Sequence, residues 1–118
     1  MKPDALRREL ESELTAAQAD PDRVRDAELA LGTEGDPRER LAAAMRSLLW
    51  HRRPDSTICP SDAARATGGD GWRDLMDTAR EVAAELARSG TIVVRQQGVD
   101  VDIATAAGPI RLARGPAW

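Results

Sequence analysis

Apolar positions along this chain follow two regimes, a helical one up to Gly90 and an alternating one after it. "PDALRRELESELTAAQ" places Leu6, Leu10 and Leu14 four residues apart with Ala17 following, so a narrow apolar stripe runs along a charged helix. That stripe needs a surface to cover it. "DPDRVRDAELAL" offers Asp20 as an N-cap and Pro21 at the first helical position, with Val24, Ala27 and Leu31 on one face of a second, short helix. "GTEGDP" then interrupts the pattern and reads as a linker. "DPRERLAAAMRSLLWHRR" starts a new helix, with Asp36 as cap, Pro37 at the first position and Glu39 placed for a capping box. Leu41, Ala44, Met45, Leu48 and Leu49 follow as one apolar face.

In "TICPSDAARATGG", Thr57 or Cys59 precedes Pro60, Asp62 falls in the first turn where its charge suits the helix dipole, and the double glycine stops a short helix. "DGWRDLMDTAREVAAELARSG" carries the strongest helical pattern, with Trp72, Leu75, Met76, Ala79, Val82, Ala83 and Leu86 on one face and Gly90 as the stop. Past it, "TIVVRQQ" places Ile92, Val94 and Gln96 on one side, and "PIRLAR" turns Ile110 and Leu112 inward and Arg111 outward. The intervening "GVDVDIATAAG" reads as the long tip of a β-hairpin. Long helix, short helix, long helix and hairpin are the order of a winged helix-turn-helix, an α+β fold of three helices and a C-terminal β-hairpin wing. The expected organisation is an N-terminal helical extension over residues 1–35 and a winged-helix domain over 36–118, with Thr57 and Ile58 adding a short strand beside the wing.

Three segments, "TICPSDAAR", the "WR" at Trp72 and Arg73, and "GPIR" at 108–111, together resemble a small bacterial family with an (I/V)CPS(D/E)-A-AR segment, a Trp-Arg pair and a closing Gly-Pro-Ile-Arg. The resemblance covers roughly residues 38–114. It implies a winged-helix-like fold and no assigned activity. One departure is Ile103 in "VDVDI", where the family resemblance leads one to expect proline. Residues 1–35 lie outside the resemblance.

With 118 residues and 42% hydrophobic content, the chain has material for one modest core. There is no Phe or Tyr, so Trp50 and Trp72 are expected to face inward and fill it. Neither a membrane span nor a secretory signal is visible, which leads to the expectation of a cytoplasmic protein with no membrane partner. One cysteine and one histidine exclude an internal disulfide and a usual four-ligand zinc site, and no cofactor is expected. Cys59 before a helix could be a thiolate favoured by the dipole. With no second cysteine to resolve it, the preferred reading is a packing residue that opens the helix.

The net charge of −3 is unevenly spread. Residues 1–35 hold five basic and nine acidic side chains, and residues 36–118 hold twelve and eleven. The basic ones are arginines apart from Lys2, a bias that suits phosphate recognition and that a GC-rich genome also produces. On the third helix of the expected domain the outer positions include Arg73, Arg80 and Arg88 against Asp74, Asp77, Glu81 and Glu85, a poor face for reading DNA. A better set for phosphate contact is Arg46, Arg52, Arg53 and Arg65 with His51, joined by Arg95, Arg111 and Arg114 on the wing, unless these are scattered solvated charges. No Walker or dinucleotide loop is present, and a Ser-His-Asp set built from Ser56 or Ser61 with His51 has nothing in its spacing to favour it. The expectation is therefore not an enzyme but a DNA-binding accessory or regulatory protein. The alternative is a protein-interaction module without DNA binding, with a protein partner or a homodimer formed through the N-terminal helix.

Overall fold

In the computed structural model, which describes residues 2–118, five α-helices precede a small antiparallel sheet. The helices are α1 (Pro3–Ala16), α2 (Pro21–Leu31), α3 (Pro37–His51), α4 (Pro60–Gly68) and α5 (Met76–Arg88), and the strands are β1 (Ile92–Gln96), β2 (Val99–Asp100) and β3 (Arg111–Arg114). Each of the first four helices opens on proline, whose fixed φ suits the first turn and whose missing N–H is not needed there. The Asp20 carboxylate accepts from the backbone N–H of Asp22 and Arg23, and the Asp36 carboxylate from Arg38. Glu39 is exposed, so the helix start at Asp36 rests on the aspartate alone.

Where one long helix is expected from Trp72 onward, residues Gly69–Leu75 form a 3₁₀ segment and α5 begins only at Met76. Gly69 sits at φ +56, which interrupts the α-helical run after α4. Gly68 is needed for close approach, because a Cβ there would lie 2.7 Å from Leu75 Cδ1 and 3.7 Å from Trp72 Cβ. Trp72 and Trp50 are only half-buried, Trp72 packed on the edge of the core and Trp50 against Trp118, which corrects the expectation that they fill it. Leu, Ile, Met, Val and Ala form the interior instead.

The sheet order is β2-β1-β3, all antiparallel. Ile92 and Val94 are buried on β1 and Leu112 on β3, with Ile110 buried just ahead of that strand and Arg111 exposed between them; Ala113 is buried as well. The long tip holds the short strand β2, joined to β1 through Gln97 and Gly98 at φ +53 and +81, the backbone of a type I′ turn. Ile58 pairs with Leu112 through two backbone hydrogen bonds of 2.9 and 2.6 Å, so the segment before α4 does lie against β3.

The stripe on α1 is covered within the chain. Leu6 and Leu10 are fully buried and join Ala30 in the same core as Leu41, Met45, Leu48, Ile58, Ile92 and Leu112. α1 packs on α2, α3 and α4, and α2 packs on α3. Each buried leucine contributes about 1.5–3 kcal/mol by removal from water.

Two substitutions test this packing. Leu10→Ala should lower stability by about 2–5 kcal/mol in a urea melt, the cost of an internal leucine rather than of a surface one. At Gly115 an added Cβ would run into the Gly90 carbonyl oxygen and lie 2.8 Å from the Ile92 carbonyl carbon. Gly115→Ala should therefore cost about 1–3 kcal/mol, since backbone on both sides leaves the methyl no room.

Candidate nucleic-acid interface

Most of the arginines proposed for phosphate contact are held by the chain itself. Arg46 forms a bidentate pair with Asp26 of α2, donating from Nε at 2.9 Å and Nη2 at 3.0 Å. Arg52 makes the same fork onto Glu9 of α1 at 2.8 and 3.1 Å, and donates to the Thr57 carbonyl at 3.2 Å. Its Nη1 also lies 3.8 Å from Asp62, a buried carboxylate that accepts the Cys59 backbone N–H at 3.1 Å. Hydrogen bonding to Glu9, opposed by burial, raises the Arg52 pKa above its ordinary value. The linked stability is thus present through the neutral range and lost only in strong alkali.

Arg114 donates to the carbonyls of Leu49 (2.8 Å), Trp50 (3.4 Å) and Arg52 (3.4 Å), the last acceptors of α3 that have no partner within the helix. Its guanidinium also lies over Trp50 and Trp118, whose rings meet at 4.9 Å between centroids, tilted 51° to each other. Arg111 reaches across to Thr57, donating to its hydroxyl and carbonyl at 2.8 Å each. Arg52 and Arg111 are therefore brought to one carbonyl, and Arg114 to the carbonyl of Arg52. The cluster holds the 52–57 loop against β3. Arg95 pairs with Asp100 across the β1–β2 turn at 3.1 Å, and Arg65 lies over the Trp72 ring at 4.3 Å. Arg53 is exposed and its side chain makes no hydrogen bond or ion pair among the described residues. Of the seven, Arg53 and the exposed Arg111 stay open to a ligand on this edge.

His51 belongs to a different group. Its Nδ1 lies 3.4 Å from Glu13, a fully buried carboxylate gripped by Arg23 at 2.7 and 2.8 Å. Periodicity alone did not single out Glu13, because it falls beside the leucine stripe of α1 and reads as one more charge on a solvated face. Arg7 and Arg40 were likewise missed. Arg7 donates to the Ala66 and Leu31 carbonyls, and Arg40 to those of Leu29, Ala30, Gly32 and Thr67. Burial and the neighbouring Arg7 charge lower the Arg40 pKa. Cys59 is half-buried at the start of α4 with its sulfur 3.0 Å from the Ser61 hydroxyl. Among the described residues, no cluster of His, Cys, Asp and Glu is placed to hold a metal ion, and no helix is long and apolar enough to cross a membrane.

The three segments that carry the family resemblance meet in this region. Arg65 of the first stacks on Trp72 of the second, and Arg111 of the third bonds Thr57 of the first. A family model described as Protein of unknown function (DUF3253) matches residues 38–115. This α+β chain belongs to that family. No curated protein matches it.

If Arg114 caps α3, Arg114→Ala should destabilise by about 2–3 kcal/mol, from carbonyls left without a charged donor. Arg114→Lys should recover less than half of that loss in a thermal or urea melt, since an ammonium cannot reproduce the planar fork or its stacking on Trp50 and Trp118.

Proposed function

We propose that residues 36–118 form a winged helix-turn-helix and that the chain works as a protein-interaction module, without catalysis and without DNA binding. Helices α3, α4 and α5 stand as its three helices and β1 to β3 as its wing. The element order, the Ile58–Leu112 pairing and the sheet order support that assignment.

The observation that carries the functional reading is the engagement of arginines. Arg46 and Arg52 are neutralised by Asp26 and Glu9 of this chain, and Arg114 is spent on helix carbonyls. On α5, which would be the groove-entering helix, Glu81 and Glu85 are exposed and draw in Arg38 from α3. A phosphate backbone laid on that face would meet Asp74, Asp77, Glu81 and Glu85, and binding to DNA is built on the opposite charge. DNA binding remains the second reading because Arg53 and Arg111 stay exposed on one edge.

The titration that decides uses the full chain and a mixed-sequence duplex at low ionic strength, followed by anisotropy over a salt series. No saturable, salt-dependent binding is expected. An affinity that falls with salt by nearly one logarithmic unit per phosphate contact, and a slope flattened in Arg53→Gln with Arg111→Gln, would replace this reading with the DNA-binding one.

A further inference from the structure

A second arginine group is centred on the Trp72 ring. The guanidinium of Arg65 in α4 sits 4.3 Å from the Trp72 ring centroid, and that of Arg73 sits 4.6 Å from it. Their central carbons are thus no more than about 9 Å apart. Neither guanidinium makes a hydrogen bond or an ion pair among the described residues. Other arginines, Arg53 among them, also lack a carboxylate or carbonyl partner, but Arg65 and Arg73 alone among these share one aromatic ring. Stacking on an indole fixes the plane of a guanidinium and leaves its N–H edge free for an oxyanion.

The local backbone keeps the group in place and open. Gly68 lets Trp72 and Leu75 lie over the end of α4, and around Gly69 and Gly71 an added Cβ would meet nothing within 4 Å. Trp72 packs on the core, so the ring is an anchored platform for both side chains.

We infer that Arg65 and Arg73 over Trp72 form a binding site for a phosphomonoester carried by a partner protein, with basic residues beside the phosphorylated one. This rests on the interaction-module reading and names the partner's chemistry. Two guanidiniums can grip one tetrahedral dianion through charge-assisted hydrogen bonds of about 2.7–2.9 Å. The surroundings select against an extended polyanion. Asp70, Asp74 and Asp77 are exposed on the same stretch, so successive phosphodiesters would meet carboxylates, whereas a lone phosphate flanked by Arg or Lys would place cations against them.

The test follows the Arg Nε–H resonances of the full chain by NMR during addition of a phosphoserine peptide with flanking arginines, its unphosphorylated form, and a duplex DNA. The phosphopeptide should shift the Arg65 and Arg73 signals and bind at least about tenfold more tightly than the unphosphorylated peptide. Arg65→Gln and Arg73→Gln should each weaken it about tenfold, with melting curves showing that both variants are folded. Equal binding of the two peptides, or binding unchanged in both variants, would overturn the inference. So would a duplex that moves these two signals at lower concentration than the phosphopeptide does, since the site would then belong to nucleic acid. A failed phosphopeptide together with an absence of salt-dependent DNA affinity sinks this inference alone and leaves the interaction module standing.

Discussion

Carbonyl oxygens at the ends of helices must find donors when the ends are covered, and here arginines from distant elements supply them. Arg40 of α3 and Arg7 of α1 converge on the end of α2 and the last turn of α4, and Arg114 of β3 closes the end of α3. α2 has no basic residue in its own last turn. The donors must therefore come from elsewhere in the fold, and each one ties two or three elements together. A guanidinium suits the task because its five donors reach several carbonyls at once.

The same side chains explain why the charge asymmetry has a structural outcome. The acidic excess of residues 1–35 faces the basic edge of α3, with Asp26 on Arg46, Glu9 on Arg52, and Glu13 near His51. Glu13 is fully buried, which is tolerable only because Arg23 meets both of its oxygens. Apolar burial of Leu6 and Leu10 supplies the driving force for docking α1, and the ion pairs set its register on α3. The segment read from sequence as an extension has become one wall of the core.

Helix starts were legible because they are local. Asp20 and Asp36 act within three residues, and proline at the first helical position is visible in the string itself. Alternation in "TIVVRQQ" and "PIRLAR" also carried through, and Ile58 pairs with Leu112 of β3. The arginine partners were not legible, since Arg7 reaches Ala66 and Arg114 reaches Leu49 across 59 and 65 positions. A long side chain pointing away from an apolar stripe looks the same whether it ends in solvent or on a carbonyl. Trp72 was misplaced for a related reason: its spacing fits the α5 face, yet Gly68 to Gly71 favour the tighter 3₁₀ path that turns the ring toward Arg65 and Arg73.

The boundary of the family match sharpens the functional question. It begins at residue 38, yet the core within 38–115 is not closed by its own residues, because Leu6, Leu10 and Ala30 complete the cluster around Leu41, Met45 and Leu48. A domain with an apolar helix face and a row of cations along its rim is built to receive an amphipathic acidic helix. In this chain the receiver and the helices it receives are covalently joined, so that surface is already filled. Elsewhere on the surface the 3₁₀ segment and α5 present Arg73 and Arg88, without side-chain partners, among the exposed carboxylates Asp70, Asp74, Asp77, Glu81 and Glu85. A surface carrying both signs of charge complements that face better than a uniform polyanion would.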